Sequence, residues 1–294
     1  MPSPELDARS PFRDEAREIL AGDPARGLVI LADHATNIVP AEYAGLGLPA
    51  GQLERHIGYD IGIDGLTREL ARRTGAPAVL SRFSRLLIDP NRGDDDPTLI
   101  MRLSDGAVVP GNARIDADER ARRIGRFWRP YDEAVAAVIE TAARASGVPP
   151  VILSLHSFTP VWRGVPRPWH AGILWDRDPR LPKLLHDALA ADPALVVGDN
   201  EPYGGALSGD TMFRHATRRG LAHAILEVRQ DLIADAAGIL AWAERLARIM
   251  DDLAGRPELH RVEHFGSDAG PVEPLPLPLA DAARPFEPPA TAPA

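Results

Sequence analysis

The sequence predicts an α/β fold: a mainly parallel or mixed central sheet with helices on both faces. Three observations predict it. Short apolar runs of strand type, such as "LVILA", "VILSL" and "AILEV", recur along the chain. Between them lie stretches whose apolar residues fall at helical spacing. The two kinds alternate, which implies βαβ units and parallel pairing. At 294 residues with 45% hydrophobic and 26% charged content, the chain can bury a sizeable core.

In order along the chain, residues 1–25 read as an irregular lead-in with one short helix, "FRDEAREIL", and residues 26–265 as a single α/β domain. "RGLVILADH" is a strand. "PAGQLERHIGYDIGIDGLTRELARRTG" is an amphipathic helix with Ile61, Leu66, Leu70 and Ala71 on one face and Gly75 as its C-cap. "APAVL" and "RLLID" are short strands, followed by a polar insertion from Gly93 to about Asp116. Residues 117–147 form a long helix bearing Ile124, Trp128, Tyr131, Val135, Val138 and Ile139, with a kink expected at Pro130. Then come a strand "PVILSLHSFTP", a strand "HAGILWDRD", a helix "RLPKLLHDALAA", a strand and loop "ALVVGDNEPY" and a helix "DTMFRHATRRG". A strand "LAHAILEVRQDL" and a closing helix "GILAWAERLARIMDDLAG" complete the domain. Residues 266–294 carry eight prolines in 29 positions, a composition for an extended or disordered tail.

Composition excludes several functions. A net charge of -9 with scattered basic residues argues against a nucleic-acid binder. The absence of cysteine excludes disulfides, thiolate metal sites and thiol nucleophiles, so a metal would need His, Asp, Glu or neutral oxygen ligands. No apolar run reaches the roughly 18 residues needed to cross a bilayer, and the charged, Pro-broken start is unlike a secretory signal. The expectation is a cytoplasmic protein.

In an open parallel sheet, reactive groups gather beyond the carboxyl ends of strands. His34, Asn91 with Arg92, His156, Asn200 to Tyr203, and Glu227 all fall there. Two histidines at separate strand ends are the minimum for a catalytic metal site; either one alone reads more readily as a capping or core histidine. Glu227 interrupts an otherwise apolar strand, so it is either a general base or the partner of Arg229 two residues on. "DPNR" offers an amide and a guanidinium suited to a carboxylate, or a surface loop arginine. The "WRGVPRPWH" segment, 162–170, either widens a cleft or packs as a loop.

"DHATN", "HIGYDIG", "SRLLIDPNR" and "LHSFTP" occur in that order, followed by "NEPY" and "LEVRQDLI". The pattern, over about residues 27–250, resembles the N-formylglutamate amidohydrolase family, which is similar in fold to the zinc carboxypeptidases and aspartoacylase. The resemblance implies a carboxypeptidase-like hydrolase architecture, a divalent metal, zinc first, with His34 and His156 as ligands, and Glu227 as general base. It implies Asn91, Arg92 and Tyr203, with Arg85 or Arg229, as binders of the substrate's carboxylates. In the zinc carboxypeptidases and aspartoacylase, to which the family is similar, a glutamate ligand lies three residues after the first histidine. That position is Asn37 here, a poor zinc ligand, so Asp60 or His56 are the alternatives. The implied reaction is hydrolysis of a small N-acyl, above all N-formyl, acidic amino acid such as N-formylglutamate, in amino-acid (histidine) catabolism. Two other readings stand beside it: a non-catalytic relative that binds an anionic ligand, and an amidase for a larger γ-glutamyl or peptidoglycan-type substrate.

Overall fold

The computed structural model describes residues 12–279. Its central sheet has the strand order β1-β2-β4-β3-β7-β12-β10-β11, with β1 Phe12–Arg13, β2 Arg17–Leu20, β3 Leu28–Ala32, β4 Ala78–Ser81, β7 Val151–Phe158, β10 Ala171–Leu174, β11 Val197–Asp199 and β12 His223–Arg229. The two hairpins β5–β6 (Leu103–Ser104, Ala107–Val108) and β8–β9 (Val161–Trp162, Val165–Pro166) stand outside it. The four middle strands β4, β3, β7 and β12 are parallel. β2 runs antiparallel to β4 and β10 antiparallel to β12, so the sheet is mixed.

Each middle strand is buried on both faces, which explains its unbroken apolar run. In β7, Leu153 and Leu155 face one core, shared with α1 (Ile63–Thr74), α4 (Arg180–Ala190) and α6 (Ala236–Leu253). Ile152 faces a second core, packed by Tyr131, Val135 and Ile139 of α3 (Arg129–Ser146). On that second side α3 continues from α2 (Ala117–Arg123), and Met212 of α5 (Thr211–His215) also packs there. The chain leaves β3 toward β4 on one side and returns to β7 on the other. The carboxyl ends of β3 and β7 therefore flank a topological switch point, where a crevice opens.

Three local expectations are corrected. "FRDEAREIL" is a β-hairpin, not a helix: the Asp14 carboxylate accepts from the backbone N–H groups of Ala16 and Arg17 and turns the chain. Arg17–Leu20 then pairs with β4, which leaves β1 at the edge of the sheet. "RLLID" is no strand; Leu86, Leu87 and Ile88 are fully buried in a turn tied by Ser84 Oγ to the Gly58 carbonyl. Its apolarity reflects burial, not ladder pairing. The first helix begins at Ile63, later than its pattern suggests, because Gly62 sits at φ 86°. A Cβ at that position would lie 2.4 Å from the Ile233 carbonyl oxygen.

Pro130 does not break its helix. A π-helical turn, Ile124–Trp128, joins α2 to α3 just before it and absorbs the missing N–H donor. The Pro-rich tail runs without helix or strand to residue 279, where Leu275 N–H donates to the Arg218 carbonyl. The rest of that tail, 280–294, and the first 11 residues lie outside the described residues. No helix of the described residues is long and apolar enough to cross a membrane.

Candidate metal centre and active site

The crevice at the switch point is a cleft of about 350 Å³. His34 reaches it from the turn after β3, His156 from within β7 and Glu227 from β12. The parallel register sets Glu227 beside His156 on neighbouring strands, so both side chains project to the same face. Asp60 arrives from the irregular stretch before α1. Its N–H donates to the His34 carbonyl at 2.9 Å, which pins the two segments together.

His34, Asp60 and His156 are buried, and one ligand atom of each lies within 4.8 Å of the others. Asp60 Oδ2 is 3.4 Å from His34 Nδ1 and 2.9 Å from His156 Nδ1. Ligand atoms bonded to one tetrahedral zinc at about 2.0–2.1 Å lie about 3.3 Å apart, so these gaps need only small adjustment. His34 Nδ1 is buried without a hydrogen-bond partner. An orphaned imidazole nitrogen facing a carboxylate fits a cation between them. The donor set of two imidazoles and one carboxylate suits zinc and leaves a position for substrate or water.

Both histidines are held from behind. His34 Nε2 meets Asp89 Oδ1 at 2.7 Å, and His156 Nε2 meets Asp33 Oδ2 at 3.3 Å. Such carboxylate–histidine contacts fix the ring and tautomer so that the other nitrogen faces a metal. Asp33 is itself held by Tyr131 Oη at 2.9 Å and Thr211 Oγ1 at 2.8 Å. Arg85 spans the group, 2.9 Å from Asp89 and 3.6 Å from Asp60. Burial alone would raise the acids, yet the Arg85 guanidinium and His34 hold the Asp89 carboxyl well below its usual range. His34 and His156 do the same for Asp60. Burial opposes the charge on His156, but Asp33 and Asp60 outweigh it and push its pKa well up. Asp33, Asp60 and Asp89 are therefore all held ionised, which supplies the negative charge a divalent cation needs.

Glu227 differs from these acids. Its Oε2 is buried with no hydrogen-bond partner, and burial pushes its pKa up to about 7 against the lowering effect of His156. A carboxyl poised there exchanges protons at neutral pH. The alternative role as partner of Arg229 is not realised. Arg229 pairs with Asp231 at 2.8 Å, donates to the Arg167 and Trp169 carbonyls, and does not line the cleft, so its expected role as a carboxylate clamp is corrected too.

Asn91, Arg92 and Tyr203 line the cleft. The "DPNR" turn is set by Asp89, whose Oδ1 accepts from the Asn91 N–H at 2.9 Å. Arg92 donates to the Asn91 carbonyl and to Thr98 Oγ1, with no carboxylate partner among the described residues. Arg85 lines the cleft but is tied to Asp60 and Asp89, which gives it a positioning place behind the metal group. The geometry selects Asp60 as the third member of the group. Asn37 does not line the cleft, and His56 stands at its rim, 3.3 Å from Asp105 and edge-on to Trp162. The sequence reading missed Asp33 and Asp89 as supports, although each is a carboxylate bordering an apolar run. It also missed Asp210, a cleft-lining carboxyl.

The sequence profile of the family described as N-formylglutamate amidohydrolase matches residues 26–234. Among solved structures, the chain is similar to gene product Atu2144 from Agrobacterium tumefaciens, with 32% identity, 83% of this chain and 97% of that one covered, and a TM-score of 0.76. It is similar in fold to N-formylglutamate amidohydrolase from Ralstonia eutropha JMP134, with 22% identity, coverage of 82% and 97%, and a TM-score of 0.57. No curated protein matches the chain. The profile takes in both histidines, Asp60, the "DPNR" turn and Glu227, and by that match the chain belongs to the N-formylglutamate amidohydrolase family.

Proposed function

We propose that the protein is a metal-dependent amidohydrolase that cleaves the amide of a small N-acyl amino acid, N-formyl compounds first. The observation that carries this reading is the His34–Asp60–His156 group with its orphaned imidazole nitrogen, next to an unpartnered Glu227. A divalent metal, zinc first, bound by those three residues would supply Lewis acidity toward the amide carbonyl and toward water. Glu227 takes the proton of the attacking water at Oε2 and delivers it to the leaving amine. Its register beside His156 sets the base at the metal group. Arg92, with the Asn91 amide beside it, binds the substrate carboxylate and fixes the amide over the group.

A non-catalytic relative would follow from an incomplete metal group; Asp60 offers the carboxylate that Asn37 lacks. The test is formate release from N-formyl amino acids by zinc-loaded protein, with and without chelator. Release that chelator abolishes and zinc restores is expected. Release indifferent to chelator overturns the metal part, and no release from any compound overturns the reaction.

A further inference from the structure

The segment 162–170 holds a cation that the metal end does not use. Arg167 follows β9 and is 9% exposed, yet among the described residues it forms no ion pair. Its backbone is fixed from two sides: its N–H donates to the Pro160 carbonyl at 2.8 Å, and Arg229 Nη1 donates to its carbonyl. The guanidinium lies 5.0 Å from the ring centre of Tyr203, 5.3 Å from that of Trp162 and 5.6 Å from that of Phe158. Its Nη1 donates to Thr159 Oγ1 at 3.3 Å. All four of these neighbours line the cleft, and Arg167 stands behind them.

Burying a cation without an acid is costly, and the faces of aromatic rings offset that cost only in part. An anion held on the cleft side of this wall supplies the missing charge. Two hydroxyls stand between the cation and the cleft. Thr159 Oγ1 accepts from Arg167, and among the described residues nothing accepts its own hydrogen, which leaves it a donor for a ligand. The Tyr203 phenol is a donor as well. Partial burial and the Glu227 charge hold it above its ordinary range, against the lowering effect of Arg167, so it stays protonated at neutral pH.

The cations that line the cleft are placed elsewhere. Arg85 is tied to Asp60 and Asp89. Arg92 stands on the "DPNR" turn, where it donates to Thr98 and the Asn91 carbonyl, and shares none of the neighbours of Arg167. We propose that Thr159 and Tyr203, backed by Arg167, form a second anion subsite of the cleft, which takes a side-chain carboxylate of the substrate while Arg92 takes the other. This rests on the amidohydrolase reading, and it fills the place that the resemblance gives to Arg85 or Arg229. The two hydroxyls donate to the carboxylate, and the guanidinium behind them strengthens both donors and compensates the charge.

The experiment measures kcat and KM for N-formylglutamate and N-formylglutamine, which differ in charge at nearly constant shape, on zinc-loaded protein. Expected is a kcat/KM at least about 10-fold higher for N-formylglutamate, carried by KM, as hydrogen bonds to a charged group predict. Arg167→Met keeps bulk against the rings and should bring the two compounds close to parity by raising KM for N-formylglutamate. Arg167→Lys keeps the charge and should restore part of the preference. No preference in the parent, or a preference untouched in Arg167→Met, overturns the proposal. Arg167→Lys as poor as Arg167→Met assigns the residue to wall packing and overturns it too. Should Arg167→Met not fold, Thr159→Val decides: a reduced preference supports the subsite, and an unchanged one overturns it. If neither compound is hydrolysed, the amidohydrolase reading fails by itself, and calorimetry with the same two compounds still decides the subsite. Tighter binding of N-formylglutamate by the parent, lost in Arg167→Met, supports it; equal affinities in the parent, or a difference kept in Arg167→Met, overturn it.

Discussion

The two ends of the cleft are built on opposite principles. At the metal end nearly every polar atom is committed: Asp33 meets four side chains, Asp89 meets Arg85, His34 and the Asn91 N–H, and the exceptions are His34 Nδ1 and Glu227 Oε2. At the substrate end Arg92 carries no carboxylate, Tyr203 is exposed, and the rim is made of the loops and hairpins around Trp162 and Asp105. The difference teaches where chemistry is fixed and where specificity can vary. A saturated network on rigid strands holds geometry, and loops tune what enters.

The largest effect should come from breaking the metal end. His34→Ala and His156→Ala each remove a ligand and should abolish metal retention and turnover, read by elemental analysis and formate release. Next in size, Glu227→Gln should retain metal but lower kcat by about 10²–10⁴-fold. The same variant tests the pH behaviour. Glu227 has its pKa raised to about 7 in the fold, so the proton is held more tightly than in the unfolded chain. Stability from this group is therefore full below its ordinary pKa and lost as pH rises through about 7. In metal-free protein Glu227→Gln should gain up to about 3 kcal/mol over the parent at pH 8 and nothing at pH 4, measured by denaturant melts. A parent equally stable relative to the variant at both pH values would contradict the buried, unpartnered carboxyl.

Removing a support should cost less than removing a ligand. Asp89→Asn and Asp33→Asn should weaken metal affinity by about 10–100-fold without abolishing it, as read by competition with a chelator. Equal loss in ligand and support variants would erase the distinction drawn within the metal end. At the substrate end the effect should be smallest on chemistry: Arg92→Ala should raise KM with little change in kcat and none in metal content. A fall in kcat with unchanged KM would place Arg92 at the reacting group instead.

The middle of the fold was legible because strands buried on both faces must be apolar, and "LVILA", "VILSL" and "AILEV" have no other home. The edges were not. "FRDEAREIL" carries charges that a sheet edge tolerates as readily as a helix does, and its fate was decided by the Asp14 turn and the pairing with β4. His34 and His156 were picked out by their place on the apolar runs, but their reading as ligands came from the family resemblance. Asp60 could only be named as an alternative, because its nearness to His34 comes from a backbone bond across the irregular segment and not from spacing. Asn37 drew attention through local spacing, but the turn carries it away from the cleft. Asp210 left no sequence signal: a helix-capping aspartate looks the same whether its back faces solvent or a pocket.

The claim on which all of this depends is that Asp60 completes the metal group and Asn37 does not. Zinc content of the purified parent, Asp60→Ala and Asn37→Ala proteins tests it most directly. The account predicts metal bound to the parent and to Asn37→Ala and lost from Asp60→Ala. Metal retained in Asp60→Ala, or lost in Asn37→Ala, would contradict it.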